Sequence, residues 1–386
     1  MSSQLEVAVS PAVLKWARHT AGYSLEHAAQ HIRRPPAVLD AWESGGGLAS
    51  WAALRELADF YRRPAAVFLL SEPPDEPKYP LDYRSPSIGR GLSAQTRLAV
   101  RQALRLQEVA DDLSASWPRV RGRDEDITAD DLAGRERRRL RVRLEEQFGW
   151  ADPYEAFRRW RSAVEETGVL VLQTSMPVEE VQGFSLAGNG GPPTIVVNTG
   201  DDIRPRIFTL FHEYCHALFG GGGICLPESR LATIANRGEE QFCNAFAGAL
   251  LVPRGALLRD EAARRLIESS DVPSDSLFGP LVAKFEVSRQ VIWHRLYSLG
   301  KIPKDRFRAK WAMWRALFRA RPHPAKKSGP AMSKAARALN ERGRGFVSMV
   351  LRAEGEGQIS HAEALEYLGI RADHFGSLLS LSTRPG

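Results

Sequence analysis

Cysteine is scarce in this chain: Cys215, Cys225 and Cys243 are the three in 386 residues, and all fall late and close together. A disulfide framework is thereby excluded, and a reducing compartment, the cytoplasm, is expected. No run of about 18 apolar residues occurs, which excludes a membrane-spanning helix and leaves no membrane partner to expect. The N-terminus, MSSQLEVAVSPAVLKW, lacks a basic start followed by an apolar stretch, so no secretory signal is expected. Repeats of fixed period and low-complexity tracts are missing too. What remains is an ordinary globular balance of 43% hydrophobic and 26% charged residues. At about 150 residues per domain the length implies two to three domains.

Basic charge is also absent from where it would first be sought. The chain carries 53 Lys and Arg against 46 Asp and Glu, a net +7, which suggests an anionic partner. The surplus is local. Between Gly300 and Gly345 stand six Lys and eight Arg against Asp305 and Glu341 alone, so that stretch is +12 and the remainder −5. The first 75 residues hold seven basic and eight acidic side chains, about −1.

Residues 8–70 read as short helices. The first ends at Gly22, Ser24 offers an N-cap to LEHAAQHI, and Pro35 or Pro36 opens AVLDAWE, which stops at Ser44-Gly45-Gly46-Gly47. Trp51 to Tyr61 and Ala65 to Leu70 make two more, and the proline-rich SEPPDEPKYP reads as a linker. Helical periodicity returns over 93–116, and a charged helix is expected over 130–148. From about 150, GVLVLQ, GFSL and TIVVN are short runs bounded by Gly and Pro, the mark of strands. Helices are expected from Arg204 to Phe219, from Glu239 to Leu251, and from 257 onward.

The segment RIFTLFHEYCHALFG carries His212-Glu213-Tyr214-Cys215-His216. Residues i and i+4 of a helix share a face, so both imidazoles can converge on one metal ion, with Glu213 angled to act as general base on a bound water. A bare His-Glu-x-x-His also arises by chance as two surface histidines with a solvated Glu. Context argues otherwise: the helix is strongly apolar, it follows a strand-like run, and a second helix supplies a third ligand for Zn2+. On that helix Glu240 is preferred, because Asn244 lies one turn along the same face and can hydrogen-bond the outer nitrogen of a ligating His. Glu239 is the rival ligand, with Cys243 as its i+4 neighbour. Tyr214 is expected in the core, Cys215 as a buried thiol, Cys225 in a loop, and Gly220 to Gly223 in a loop rimming the cleft.

This region resembles the ImmA/IrrE family of metallopeptidases, whose two-His helix is followed by E-x-x-A-N-x-F-A-x-x-L-L-x-P. Here the run is Glu240-x-x-Cys243-Asn244-x-Phe246-Ala247-x-x-Leu250-Leu251-x-Pro253, with Cys243 as the departure. The resemblance covers roughly 150–300. It implies His212, His216 and Glu240 as zinc ligands, Glu213 as catalytic base, and cleavage of repressors in stress responses or mobile elements. Residues 8–70 resemble the Xre/Cro-type helix-turn-helix domain through LKWARHTAGYSLEHAAQHI and LDAWESG. Such domains dock their third helix in the major groove. Here that helix starts Arg33-Arg34-Pro35-Pro36 and offers few base-reading side chains. Arg33 and Arg34 are the DNA-binding candidates, with Arg62 and Arg63 as further phosphate contacts. Glu43 reads as structural, and Asp40 would face phosphate unfavourably. Dimerisation or docking of a protein partner is the alternative role.

Residues 277–302 read as helix, turn at Glu286-Val287-Ser288, helix, with packing preferred over DNA contact by Arg289, His294 and Arg295. Phe307, Trp311, Trp314 and Phe318 share one helical face and read as core. In the tail, Ser360 and Glu363 form a capping box. The fold expected is mainly α and multidomain: a helix-turn-helix domain over 1–75, a helical connecting layer over 76–148, and an α+β zincin-like metallopeptidase with a small sheet over 149–303, whose helical module spans 260–303. A basic segment and small helical C-terminal cap follow over 304–386. The expected activity is zinc-dependent endopeptidase acting on a repressor or adjacent-gene product. The late basic stretch 300–345 would add to any grip on DNA. The alternative is a DNA-binding regulator or antitoxin of a two-gene module.

Overall fold

Serine and proline at helix starts set the layout of the first hundred residues. Pro11 lies in the first turn of α1 (Pro11–Ala21), and Ser24 caps α2 (Leu25–His31) by accepting the His27 N–H at 3.2 Å. Pro36 opens α3 (Pro36–Glu43), and Ser50 caps α4 (Trp51–Tyr61), after which a 3-10 turn covers Ala65–Leu69. A two-residue ladder joins β1 (Glu6–Val7) to β2 (Ala49–Ser50). The computed structural model describes residues 6–46, 49–74, 92–114, 126–188, 191–221, 224–225, 237–269, 271–320 and 332–383. The expected linker is thus described only as far as Pro74. The chain forms two compact units, Met1–Leu104 and Arg105–Gly386, with α5 (Ala94–Asp112) crossing the boundary.

The first unit buries Leu14, Ala17, Ala29, Leu39, Trp42, Leu54 and Tyr61 in one core. Glu43 is structural, as expected. Arg18 donates to both its carboxylate oxygens at 2.7 Å, and the buried bidentate pair ties α1 to the end of α3.

In the second unit the helix expected over 130–148 is broken in two, α6 (Ala129–Arg139) and α7 (Leu144–Phe148). Arg141 takes a left-handed turn (φ 55°) that lets Leu140 and Val142 both reach the core. Arg137 satisfies the freed backbone by donating to Leu250 O and Val142 O, at 2.8 and 3.2 Å. Asp152 caps α8 (Pro153–Glu165) through the Tyr154 and Glu155 N–H groups. The three expected strands form as β3 (Leu170–Thr174), β4 (Gly183–Leu186) and β5 (Thr194–Asn198).

β5 is central and fully buried, which is why TIVVN is an unbroken apolar-side run rather than an alternating one. It pairs parallel with β3 and antiparallel with β4. After α9 (Ile203–Leu218), β6 (Ile224–Cys225) adds to the outer edge of β4, giving the order β3-β5-β4-β6. α10 (Arg237–Leu251) packs on both α6 and α9, and Trp160, Phe211, Tyr214 and Phe246 fill the space between. Each such buried aromatic contributes roughly 1.5–3 kcal/mol by removal from water.

The chain continues through α11 (Arg254–Arg259), α12 (Glu261–Glu268), α13 (Gly279–Phe285), α14 (Arg289–Ser298) and α15 (Lys304–Ala320). Glu286 turns between α13 and α14 at φ 51°, and Ser288 caps α14, matching the expected helix–turn–helix. α15 turns Phe307, Trp311 and Trp314 onto the core, while the Phe318 side chain lies outside the described residues. Lys310 is buried beneath it and donates to Pro273 O and the Asp275 carboxylate, both at 2.7 Å.

Four last helices, α16 (Lys334–Arg342), α17 (Arg344–Gly355), α18 (His361–Leu368, with the Ser360–Glu363 capping box) and α19 (Phe375–Ser382), form a cap. α16 covers β3, which is otherwise an edge strand. Gln173 donates to Asn340 O and Oδ1 at 2.9 and 3.0 Å, and the buried Arg161–Glu165 pair (2.9 Å) reaches the same turn. Gly343 (φ 85°) closes that turn where any Cβ would run into Glu165 and Arg161. The protein is mainly α and multidomain, and no described helix is long and apolar enough to cross a membrane.

Candidate metal centre

α9 is buried over most of its length from Ile207 on because its apolar residues face two directions: Ile207, Leu210, Phe211 and Leu218 pack into the core, while β4 and β5 lie against its other side. The contact with β4 is unusually close. A Cβ on Gly183 would stand 2.5 Å from Thr209 Cγ2 and 2.9 Å from Val196 O, so only glycine lets the strand settle on the helix here. His212, Glu213 and His216 are therefore held in a dry environment, with 1%, 0% and 3% of their surfaces exposed.

α10 supplies the facing side. Glu239 and Glu240 lie in its first turn, where the helix dipole favours carboxylates. Glu240 Oε2 stands 3.2 Å from His212 Nε2, Glu240 Oε1 3.2 Å from His216 Nε2, and the two Nε2 atoms are 3.2 Å apart. Three donor atoms thus converge on one point, and His212, His216 and Glu240 are the residues that could hold a metal ion among those described. The spacing suits zinc, because tetrahedral ligation at about 2.0–2.1 Å separates ligand atoms by about 3.3–3.4 Å.

The outer nitrogens decide the tautomers. His212 Nδ1 meets Asn244 Oδ1 at 3.0 Å and His216 Nδ1 meets Glu239 Oε1 at 3.1 Å. Both partners are acceptors, so each neutral ring carries its proton on Nδ1 and directs the Nε2 lone pair inward. Two lone pairs and a carboxylate oxygen facing one another are repulsive without a cation between them. The residues fit a metal.

Charge states agree with this. Burial raises the Glu240 carboxyl, but both imidazoles outweigh it and hold its pKa at about 2. Burial alone would keep His216 neutral, yet Cys243, Glu239 and Glu240 push its pKa well above the usual imidazole range. The site therefore favours one added positive charge, which a metal supplies as well as a proton does. Glu213 behaves oppositely to Glu240: desolvation pushes its carboxyl up, against the pull of His216, His212 and the Ser185 hydroxyl. A desolvated carboxyl with raised pKa is suited to taking up and releasing a proton.

Sequence reasoning singled out His212, Glu213, His216, Glu240 and Asn244, and the structure brings all five together. It places Glu239, the rival ligand, on the outer nitrogen of His216 instead. Spacing does not state that role, because Glu239 and Glu240 are neighbours in one helical turn and both reach the imidazoles. Tyr214 is buried and donates to Glu136 at 2.9 Å, and Cys215 is a buried free thiol, as expected of both. The Cys225 side chain and Gly222–Gly223 lie outside the described residues.

In the first unit Arg33 and Arg34 are exposed at the turn before α3, Arg33 with φ 53°. The exposed face of α3 itself carries Pro36, Ala37 and Asp40, which have no side-chain donor for a base edge. Of the late basic stretch, Arg306, Lys310, Arg342 and Arg344 are committed to carbonyls or carboxylates within the fold. Lys301, Lys304, Arg308, Arg315, Lys334 and Arg337 are exposed, and Arg321, Lys326 and Lys327 lie outside the described residues. Arg289 pairs with Asp275, and Arg295 is buried against Asp130 and Val252 O, so these two serve packing.

Residues 164–297, which include every group of the centre, match the IrrE N-terminal-like domain of the M78 peptidases. Residues 12–68 match a helix-turn-helix domain. No curated protein and no solved structure matches the chain. These two matches agree with the resemblance to ImmA/IrrE-type proteins that carry an N-terminal helix-turn-helix domain.

Proposed function

We propose that this chain is a zinc-dependent endopeptidase that cuts a regulatory protein, such as a repressor or the product of a neighbouring gene. The observation that carries the reading is the convergence of His212 Nε2, His216 Nε2 and a Glu240 oxygen, with both outer imidazole nitrogens anchored on acceptors. A zinc ion held by these three would polarise the scissile carbonyl and activate water. Glu213 takes the proton of the attacking water and passes it to the leaving amine, for which its buried, raised-pKa carboxyl is suited. Asn244 and Glu239 keep the two imidazoles in their ligating tautomer.

Glu213→Gln preserves the ligands and removes the base. With zinc loaded, the variant should leave the neighbouring-gene product intact where the wild type yields fragments by mass mapping. Cleavage at the wild-type rate by that variant would overturn the mechanism. The exposed, adjacent Arg33 and Arg34 favour a second role, DNA contact by the N-terminal domain. It complements the first, since a regulator recruited to an operator meets its repressor there.

A further inference from the structure

We infer that the outer face of α15 is a docking surface for an acidic amphipathic helix of a partner protein. α15 has two apolar faces. One, carrying Phe307, Trp311 and Trp314, is turned onto the core. The opposite one carries Ala309, Ala312, Met313, Ala316 and Leu317, spaced i, i+3, i+4, i+7 and i+8, the seam by which a helix packs on another element. All five are exposed, Met313 by 51% and Leu317 by 54%. The core does not use this seam, and a helix facing only water would carry polar side chains there.

Charge names the occupant. Lys304, Arg308 and Arg315 are exposed at i, i+4 and i+11, which strings them along one edge of the seam. The cations of the other edge are committed within the fold. Arg306 donates to Leu266 O and Ile267 O at 2.6 and 3.0 Å, and Lys310 donates to Pro273 O at 2.7 Å. Asp305, in the first turn, is the one acidic residue of α15. A helix with an apolar seam and Asp or Glu along one edge meets this face with like against like and anion against cation. The alanines let the two axes approach to about 8 Å, and Met313 adapts to the side chains it meets. A second copy of this face brings no acidic edge. Nor do the longer segments outside the described residues: 75–91 hold three acidic and three Lys or Arg side chains, 115–125 two and three, 226–236 one of each, and 321–331 none and three. Phosphate would suit the cations but not Met313 and Leu317, and a lipid surface would gain little from alanines.

The test needs neither metal nor cleavage, so its result is separate from that of the peptidase reading. Full-length protein is panned against a displayed library of helices with a fixed leucine seam and randomised flanks. The wild type should enrich Asp and Glu along one flank, and the Arg308→Glu, Arg315→Glu double variant should enrich Lys and Arg there instead. In fluorescence anisotropy, the best acidic peptide should bind the Met313→Gln, Leu317→Gln variant about tenfold or more weakly than the wild type. Glutamine keeps helix propensity, so that variant should melt as the wild type does. A lowered midpoint would show the face already covered within the chain and would overturn the inference. So would a library with no enriched helix, flanks indifferent to the charge reversal, or equal affinity for the glutamine variant. Phosphatidylserine vesicles or a random-sequence DNA duplex bound through these residues, with no acidic helix enriched, would assign the face to that surface instead. A dimer in sedimentation that the glutamine variant dissolves would assign it to a second copy, and each of these results overturns the proposal.

Discussion

Glu239→Ala removes the carboxylate that anchors His216 Nδ1 at 3.1 Å and leaves all three donor atoms of the centre in place. Loss of an outer partner of this kind typically costs about 10- to 100-fold in metal affinity, or about 1.4–2.7 kcal/mol. The Glu239 side chain is 30% exposed, so water can replace it on Nδ1, and the lower part of that range is expected. Glu239→Gln keeps an acceptor oxygen and should lie within a few-fold of wild type. Glu240→Ala, by contrast, deletes one of three protein ligands, and its side chain is only 12% exposed. That variant should lose zinc during purification. Competition titration against a chromogenic chelator, at one pH and with all four proteins, ranks them directly. If Glu239→Ala abolished zinc binding while Glu240→Ala kept it, the assignment of inner and outer carboxylate would be reversed.

Gly183→Ala should lower the unfolding midpoint by an amount equivalent to about 1–3 kcal/mol, since its Cβ would stand 2.5 Å from Thr209 Cγ2 in a packed layer; a wild-type melt would show that β4 yields freely. Asp275 titrates low, because Lys310, Trp314 and Arg289 outweigh the opposing effect of burial. A carboxyl depressed in the folded state lends stability that is complete above its ordinary value of 3.8 and is lost as pH falls through the lower folded value. Melting of the wild type from neutral pH into that acid range should therefore show a loss that Asp275→Asn lacks, and identical profiles would refute the linkage. Replacing Arg33 and Arg34 by Glu should flatten the log–log salt dependence of DNA binding by about 0.9 for each phosphate contact removed. An unchanged slope would take both out of the interface.

Much of the centre was legible because helix periodicity is rigid. His212 and His216, or Glu240 and Asn244, can be placed on a shared face from spacing alone. Adjacent Glu239 and Glu240 are harder, since they differ by one helical step and both reach the imidazoles, one from inside and one from outside. The register of β4 on β5 was illegible, since no local pattern states it. Capping chemistry marks Ser24 and Ser360 as helix starts. The break at Arg141 was hidden, because a non-glycine residue in the left-handed region is chosen by the core it serves and not by its own propensity.

The turn from Asn340 to Gly343 has a consequence for how the protein is made. Arg161 and the Asn340 carbonyl it reaches are 179 residues apart in sequence. At roughly 5–20 residues per second, the interval between translating β3 and translating its cover is about 8–33 s. Throughout that time the strand edge of the nascent domain is open to any other extended chain. Ribosome-bound intermediates ending before residue 334 are thus expected to be the chaperone-dependent ones.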